Sequence, residues 1–317
     1  MQKSRPEFSV VIPVCNEQDN IPEVHSRLTD VMENLCRKEG FPGDCYEIIM
    51  VDDGSSDSSW SIIEAIHGKD RRLKGISFSR NFGHHIAITA GLDYAEGRAV
   101  ILMDADLQDP PEEIPKLIRK FKGGYDLVYG IRKQRKDPVF KRVSSSLFWW
   151  ILRRFSGVDM PRGQTMLRIL SRRLVDSLKD MRERARFIHG MMAWSGFNTG
   201  TVEVEHNPRR KGKSKYGITR MFRLAFHAVT SFSTVPLRLA TYMGLMSSVI
   251  SFFIGAYFLY KKIFLGIPVL GFAAIIVSVF FVGGIQLLVL GIFGEYIGRT
   301  YQEVQRRPLY IVKESFL

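Results

Sequence analysis

The stretch AVILMDADLQD, residues 99–109, decides how the rest of the chain is interpreted. Its apolar first half predicts a buried strand, and Asp104 and Asp106 follow that strand directly. Ligands in open parallel sheets bind beyond the carboxyl ends of the strands. Two carboxylates there can reach one hard cation such as Mg²⁺ or Mn²⁺, which usually keeps substrate phosphates among its oxygen ligands. Because aspartates are also common at turns, the pair alone is a weak signal and needs support from its surroundings.

Strand-like and helix-like segments alternate on both sides of this stretch. Short apolar runs predict strands at 9–14, 46–51, 73–79, 99–103 and 126–130. Apolar residues at helical spacing predict helices at 21–35, 58–67, 84–95 and 114–121. This alternation is typical of an α/β domain with a largely parallel sheet.

Two further strand ends carry polar groups that can face the same crevice. The first strand is followed by Asn16 and Glu17, and the second ends at Asp52 and Asp53. No glycine-rich loop follows the first strand, which excludes a dinucleotide-binding fingerprint and a P-loop. The three strand ends together favour Asp104 and Asp106 as ligands rather than turn residues.

The composition changes near residue 235. Two long uncharged stretches follow, at 239–260 and 263–294, and each exceeds the roughly 20 apolar residues that a bilayer-crossing helix needs. Lys261 and Lys262, with Gly266 and Pro268, are expected to mark the turn between them. A core hairpin of a soluble protein is the alternative, but apolar runs of this length are rare in soluble folds.

Basic residues around the two stretches set their expected orientation. Cytoplasmic flanks of membrane spans are enriched in lysine and arginine. Arginines lie outside the pair of spans at positions 220, 223, 238, 299, 306 and 307. Since the loop between the spans carries only Lys261 and Lys262, both termini are expected in the cytoplasm.

The chain as a whole is strongly basic, with a formal net charge of +13. This predicts an anionic partner, either a nucleic acid, an anionic membrane surface or a phosphorylated substrate, with a solvated basic surface as the alternative. Aromatic and basic residues mix at 140–155 and 216–232, which predicts interfacial helices, with ordinary packing helices as the alternative. No recognition motif for nucleic acid is present, so none is expected as a partner. Three cysteines without CxxC spacing predict neither a disulfide framework nor a zinc site.

Several runs in fixed order resemble family 2 glycosyltransferases. In the first half they are VVIPVCNEQDNIP, VDDGSSDSS, SRNFGHHIAITAGLDYA and ILMDADLQDPPEEIP. The later runs GKSKYG, VPLR, GGIQLLVLGIFGEYIGR and YQEVQRRPLYIV resemble the bacterial polyprenyl-phosphate members, such as the bactoprenol glucosyltransferases. Undecaprenyl-phosphate formamido-arabinose transferases and dolichol-phosphate mannose synthases belong to the same group. The resemblance covers nearly the whole chain.

The resemblance implies a fold and an activity. The fold is a GT-A-like nucleotide-sugar-binding α/β domain over 1–215, an interfacial helix over 216–234, a two-helix transmembrane anchor over 235–298 and a cytoplasmic tail over 299–317. The expected reaction moves a sugar from a nucleotide-sugar, with UDP as the expected nucleotide, onto undecaprenyl phosphate with inversion. The enzyme is expected in the bacterial inner membrane with its catalytic domain in the cytoplasm, and a homo-oligomer is possible.

The resemblance also implies roles for individual residues. The expected metal ligands are Asp104, Asp106 and Gln108, and the metal is Mg²⁺ or Mn²⁺. The expected nucleotide-binding residues of the sheet domain are Pro13, Asn16, Glu17, Asp53, Ser79 and Asn81. Arg132 and Arg135 are expected near phosphate. A mobile loop of Lys213, Ser214, Lys215 and Tyr216 is expected to close over the donor or acceptor phosphate, and Arg132, Lys213 and Lys215 join the two aspartates in the catalytic set. Without the resemblance, the basic run at 209–215 is typical of a solvated loop.

One departure from the family concerns the general base. Some relatives carry an acidic residue shortly before the pair matched by Leu167 and Arg168, and the nearest acid here is Asp159. An acceptor phosphate has its second pKa near about 6 and is already anionic at neutral pH, so the site needs cations more than it needs a base. Arg162 and Arg168 suit that role, with a surface charge or a structural ion pair as the alternative.

The sequence is also compatible with two alternative functions. A processive polysaccharide synthase would share the N-terminal half, but the Gln-x-x-Arg-Trp motif is absent and two spans do not readily enclose a polymer channel. A membrane scaffold that binds nucleotide-sugar without turnover is the non-enzymatic alternative. His84 and His85, at a predicted helix start, either offer donors to a phosphate or are structural.

Overall fold

The computed structural model of the chain describes residues 5–41, 45–132, 160–161, 163–207, 233–265 and 271–317. Its strands are β1 (Phe8–Val14), β2 (Tyr46–Asp52), β3 (Leu73–Phe78), β4 (Ala99–Leu102), β5 (Leu127–Arg132), β6 (Gln164–Ser171), β7 (Thr199–Val204) and β8 (Val312–Phe316). Its helices are α1 (Ile21–Glu39), α2 (Ser59–His67), α3 (His84–Tyr94), α4 (Ile114–Phe121), α5 (Arg172–Asp180), α6 (Ile188–Trp194), α7 (Val235–Leu265) and α8 (Phe272–Val304).

The strands form one sheet of eight in the order β7-β5-β6-β4-β1-β2-β3-β8. The central strands β4, β1, β2 and β3 are parallel, as the sequence predicts, whereas β6 and β8 run antiparallel to their neighbours. In β1, Val10 belongs to one hydrophobic core and Val11 to the other. Burial on both faces explains why this strand is a continuous apolar run rather than an alternating one.

Helices cover both faces of the sheet. Residues of α1, α2 and α4 pack into one core, and residues of α3, α5 and α6 pack into the other. α1 shows why the sequence predicts these helices: Ile21, Val24, Leu28 and Met32 recur at helical spacing and are all fully buried. Gly40 ends the helix with a φ of 71°, a conformation that glycine adopts without a steric penalty.

α7 and α8 form a hairpin of a different character. Both are long and apolar enough to cross a membrane, and none of their most apolar segments is buried in the protein. Phe252 and Phe280 are 72% and 78% exposed. Apolar side chains with this exposure need a hydrocarbon environment rather than water, which supports association of the hairpin with a membrane.

The lysines predicted to mark the turn belong to the helix instead. α7 continues through both of them to Leu265, and Gly266 and Pro268 lie outside the described residues. Lysines near the carboxyl end of a helix interact favourably with its dipole, and their long side chains can reach toward a membrane surface, so they need not interrupt the helix. The predicted interfacial segments 140–155 and 216–232 lie outside the described residues.

The last residues return to the sheet. β8 pairs with the edge strand β3, and the Phe316 ring stacks on Trp60 at 4.9 Å between centroids. A Cβ atom on Gly75 would overlap the Phe316 ring, so this glycine makes room for it. The segment predicted as a free cytoplasmic tail therefore contains the eighth strand of the sheet.

Cys36 and Cys45 lie side by side, with 6.4 Å between their Cα atoms, a separation that a disulfide can bridge. The sequence predicts no disulfide framework, and this proximity is a finding that spacing alone does not indicate. It arises because the end of α1 lies beside the start of β2. Cys15 is free and exposed.

Candidate active site

The Asp104–Asp106 loop alternates between buried and accessible side chains. Ala105 and Leu107 are each 3% exposed and pack into the core, while Asp104 and Asp106 are partly exposed between them. Leu107 has a φ of 56°, in the left-handed region that a leucine rarely adopts. Strained backbone of this kind clusters at functional sites, and here it keeps the two aspartates on the accessible side of the loop.

These aspartates line a cavity of about 700 Å³ beyond the carboxyl ends of β1, β2 and β4. The predicted site residues that line it are Pro13, Glu17, Asp53, Asp104, Asp106, Gln108 and Arg132. The predicted site residues Asn16, Ser79 and Asn81 lie in the loops around the cavity rather than on its wall. Those that fall outside the described residues are Arg135, Lys213, Ser214, Lys215 and Tyr216, together with Asp159 and Arg162.

Asp53 is buried at the end of the cavity predicted to bind the nucleotide. Its carboxylate accepts hydrogen bonds from the backbone N–H groups of Phe82 at 2.7 Å and Gly83 at 3.0 Å. Burial raises the pKa of Asp53, and the two backbone N–H groups oppose that rise. In this structure Asp53 therefore fixes the start of α3 as well as lining the cavity.

Gly54 allows the loop after β2 to pack closely against the loop after β3. Its φ is 65°, and a Cβ atom there would approach the backbone carbon of Arg80 to 2.5 Å. Only glycine allows the loop after β2 to lie so close to the loop after β3. Two strand ends are thereby joined at the rim of the cavity.

The three predicted residues off the cavity wall hold these loops together. Asn16 accepts the backbone N–H of Ser56 on Oδ1 at 2.8 Å. The Asn81 amide donates to the carbonyl oxygen of Asp53 at 3.1 Å, and the backbone N–H of Ser79 donates to the carbonyl of Ile311 at 3.0 Å. Their contacts in this structure are with the protein itself.

Asp104 has the most perturbed acidity at the site. Enclosure in the cavity, followed by the negative charges of Asp106 and Asp109, raises the pKa of Asp104 to about 7, although Arg168 opposes the rise. His84 Nε2 lies 3.7 Å from an Asp104 carboxylate oxygen. Burial lowers the pKa of His84, which leaves the imidazole neutral at pH 7. The carboxylates therefore outnumber the cations beside them.

This charge imbalance fits a divalent cation. Two carboxylates on one accessible loop supply hard oxygen ligands, and Mg²⁺ or Mn²⁺ commonly takes one or two carboxylates with the remaining ligands from water and substrate phosphate. Within the described ranges, no group of three or more His, Cys, Asp or Glu side chains is arranged to hold a metal by itself. The arrangement suits a metal that arrives with a phosphate ligand, rather than a closed structural site.

Asp109, the last acid of the motif, has a structural role. One carboxylate oxygen accepts the backbone N–H groups of Met166 at 3.2 Å and Leu167 at 3.3 Å, and the other lies 2.8 Å from His206 Nδ1. It thereby ties the loop after β4 to β6 and to the segment after β7. Asp109 thereby fixes the position of the loop that carries Asp104.

Arg168, considered as a cation for the substrates, is a buried residue of the cavity lining. It is 1% exposed, so it is not a surface charge, and it donates to the carbonyl oxygens of Thr165 and Met166. Its Nη1 lies 2.9 Å from His189 Nδ1. Burial lowers the pKa of Arg168 to about 10, so the guanidinium stays charged at neutral pH. It lines the cavity and contributes positive potential near Asp104.

Sequence reasoning missed His189 and Phe187, which line the inner wall of the cavity with His85. The His85 and His189 rings are 5.1 Å apart between centroids, and Phe187 packs edge-to-face on both. Burial lowers the pKa of His85 to about 4 and that of His189 well below its ordinary value. Neither histidine follows a predicted strand end, and only the fold brings them together.

Comparisons with known proteins identify the family of the chain. Residues 9–180 match the family model of Glycosyl transferase family 2. The chain is 41% identical to the uncharacterized glycosyltransferase YkcC of Bacillus subtilis, over 98% of this chain and 94% of the relative. It is 40% identical to the bactoprenol glucosyl transferase of Shigella phage SfII, over 97% of this chain and 98% of that protein.

A solved structure of glucosyl-3-phosphoglycerate synthase from Mycobacterium tuberculosis, in complex with Mn²⁺, UDP and glucosyl-3-phosphoglycerate, is also similar. The sequence identity is 20% and the TM-score is 0.47, over 73% of this chain and 80% of that chain.

Proposed function

Because the chain belongs to glycosyl transferase family 2, we propose that it transfers a sugar from a UDP-sugar to undecaprenyl phosphate at the cytoplasmic face of a bacterial inner membrane. The observation that carries the proposal is the union of two features in one chain. A cavity lined by Asp104 and Asp106 suits a diphosphate with its cation, and an exposed apolar hairpin suits a lipid environment. The relatives named bactoprenol glucosyl transferase, similar along nearly their whole length, support a polyprenyl phosphate as the acceptor.

The donor is proposed to lie along the cavity. The base and ribose lie at the end formed by Pro13, Glu17 and Asp53, and the diphosphate lies at Asp104 and Asp106. Arg132, at the end of β5, is on the same wall and is exposed to carry positive charge toward phosphate. This order follows the predicted roles of the strand ends, with Asn16, Ser79 and Asn81 shaping the loops that frame the nucleotide.

A divalent metal at Asp104 and Asp106, with Gln108 beside them, would neutralise the charge that develops on the diphosphate leaving group. The chain's own part is to hold both carboxylates on the accessible side of the Leu107 turn. Asp109 holds the same loop through its bonds to Met166 and Leu167.

The proposed reaction is a displacement with inversion at the anomeric carbon. An oxygen of the lipid phosphate forms the new bond to that carbon, and the bond to the diphosphate oxygen breaks, releasing UDP. The attacking oxygen is already anionic at neutral pH, because the second pKa of a phosphate monoester is near about 6. The reaction therefore needs positioned substrates and positive charge more than proton removal.

Membrane position and assembly extend the proposal. Arginines outside the hairpin and two lysines near its turn favour both termini in the cytoplasm. The first span would then leave the cytoplasm and the second would return to it. A cytoplasmic catalytic domain would meet both the soluble donor and the lipid phosphate headgroup. A homo-oligomer is compatible with this arrangement.

The test is transfer of radiolabelled sugar from UDP-sugars to undecaprenyl phosphate by the purified full chain in detergent. Asp104→Asn and Asp106→Asn should each reduce organic-extractable product by about 100-fold or more, the scale of losing an electrostatic contact to the transition state. Asp176→Asn is the matched control, since that aspartate is exposed on α5 away from the cavity. Full activity of either cavity variant with saturating Mg²⁺ and Mn²⁺ would refute the assignment.

A further inference from the structure

The inner wall of the cavity has a hydrogen-bond arrangement that the proposed reaction does not use. Arg168 Nη1 lies 2.9 Å from His189 Nδ1, and a guanidinium can only donate. His189 therefore accepts at Nδ1, and its proton resides on Nε2. The buried arginine selects one tautomer of the imidazole.

His189 lines the cavity wall, and Arg168 already occupies its Nδ1. Nε2–H is therefore the ring donor left for a ligand, and the described residues show no hydrogen bond to it. A donor of fixed tautomer on a concave wall suits a ligand oxygen.

The neighbouring groups indicate which ligand. Phe187 offers an aromatic surface beside His189, 5.8 Å between ring centroids. Arg168 donates from Nε to Met166 O and from Nη2 to Thr165 O, and its side chain is 1% exposed, so it offers little surface to an incoming phosphate. A neutral donor beside an aromatic ring suits a hydroxylated sugar ring rather than an anion.

The position agrees with that chemistry. His84 lies beside Asp104, and the His84, His85 and His189 rings follow one another at 5.9 and 5.1 Å between centroids. The three rings therefore link Asp104 to His189 through successive contacts. In a nucleotide-sugar, the sugar is attached directly to the outer phosphate and would lie near these rings.

We propose that His189 donates a hydrogen bond from Nε2 to a hydroxyl of the donor sugar, with Phe187 against the sugar ring, and that Arg168 is the positioning residue that fixes this donor. This rests on the proposed function, because it takes the sugar of the same nucleotide-sugar as its ligand. It makes the inner wall the part of the cavity that distinguishes one sugar from another.

Two substitutions test the two ring nitrogens of His189 separately. His189→Asn keeps an acceptor near Nδ1 for Arg168 and removes the cavity donor, whereas His189→Gln places an N–H group near the position of Nε2. His25→Asn, on α1 outside the cavity, controls for the exchange itself. Calorimetry on the full chain in detergent would compare UDP with UDP-glucose, UDP-galactose and UDP-N-acetylglucosamine, with Mg²⁺ present.

His189→Asn should weaken binding of the preferred UDP-sugar by about tenfold, the loss of roughly one neutral hydrogen bond, and change UDP binding by less than about twofold. His189→Gln should recover at least half of that loss on a logarithmic scale. A deoxy or fluoro analogue lacking the recognised hydroxyl should bind the parent and His189→Asn equally. A purely structural histidine predicts parallel losses for UDP and UDP-sugar, and that result, or unchanged affinities, overturns the proposal.

Failure of the proposed function gives a different pattern. If the parent discriminates among UDP-sugars through His189 but transfers none of them to undecaprenyl phosphate, the acceptor assignment falls and the sugar-wall inference stands. If the parent transfers sugar and His189→Asn binds it as tightly as the parent, only the inference falls. If the parent binds no nucleotide-sugar, both fall.

Discussion

The sheet domain and the α7–α8 hairpin place isoleucine side chains in opposite environments. Ile49 in β2 is fully buried between the two layers of helices, whereas Ile275 in α8 is 64% exposed. The sheet domain satisfies its apolar residues by packing, and the hairpin leaves them outward along its whole length. The difference shows that the sheet domain is suited to water and the hairpin to lipid. The cavity would accordingly bind a water-soluble donor and a lipid acceptor.

The strongest test of this comparison removes the same side chain from each region. Ile49→Ala leaves a cavity in a packed core and should lower the free energy of unfolding by about 2–5 kcal/mol. Ile275→Ala should change it by less than about 0.5 kcal/mol, because its surroundings are fluid and no cavity forms. Denaturant unfolding of the full chain in a mild detergent would measure both. Equal losses would mean that α8 packs against protein rather than lipid.

The next largest effect concerns the strand that joins the two regions. Phe316→Ala removes the ring that stacks on Trp60 and lies 4.4 Å from the His67 ring between centroids. Since Phe316 is only half-buried, we expect a loss of about 1–2 kcal/mol, below the range for a fully buried phenylalanine. Leu317→Ala, at a residue that is 55% exposed, is the control. The same denaturant titration applies, and an unchanged Phe316→Ala midpoint would show that β8 adds nothing to the sheet.

This strand also changes what truncation can show. Truncation before Pro236 removes the predicted two-helix anchor and the tail together. The structure places β8 at the edge of the sheet and Tyr310 Oη 2.8 Å from Asp93. A truncated chain therefore loses part of the domain, and a deletion that keeps 305–317 is the better design.

Local sequence patterns were sufficient for much of the architecture. Strands buried on both faces, such as β1, are continuous apolar runs, and α1 carries an uninterrupted apolar stripe. The Asp104–Asp106 pair was predictable because the carboxyl end of a parallel strand is where ligands bind. These features depend on short stretches of chain and on one general property of parallel sheets.

The unpredicted features depend on contacts between distant residues. β8 has exposed, charged side chains and joins β3 across more than 200 residues, so its short pattern gives no indication of a strand in the sheet. The Arg168–His189 contact joins β6 to α6, and neither residue follows a predicted strand end. The end of α7 was misplaced because lysines at the end of a helix resemble lysines in a turn.

The segment between the two regions carries the next prediction. Lys213 and Lys215 lie outside the described residues, and they remain predicted phosphate ligands at the membrane surface. Replacing both with alanine should lower turnover on undecaprenyl phosphate by about tenfold, equivalent to about 1.4 kcal/mol. Lysines that bind phosphate make charge-assisted bonds, roughly twice as strong as neutral ones, whereas a solvated run predicts almost no change.

The measurement is the rate of transfer at fixed salt and lipid composition, since screening alters every surface charge. Lys120→Ala and Lys122→Ala, made together on the far end of α4, remove the same charge from the sheet domain and serve as the control. An equal loss in both double variants would point to general attraction toward anionic lipid instead of a positioned contact.

The smallest expected effect is a pH dependence that belongs to the sheet domain alone. Burial, followed by the charges of His84 and Arg168, lowers the pKa of His85 to about 4 in the folded protein. Its pKa in the unfolded chain is near about 6.5. Between these values the unfolded state binds more protons, so the free energy of unfolding falls as the pH falls from about 6.5 toward 4. Above this window His85 is neutral in both states and contributes no slope.

Solvent screening reduces the effect of this shift, and we expect the free energy of unfolding to fall by about 1 kcal/mol between roughly pH 7.5 and 5. His85→Gln should remove that share, so the parent should lose about 1 kcal/mol more than the variant over this range. Parallel pH profiles of the two proteins would show that His85 is equally solvated in both states.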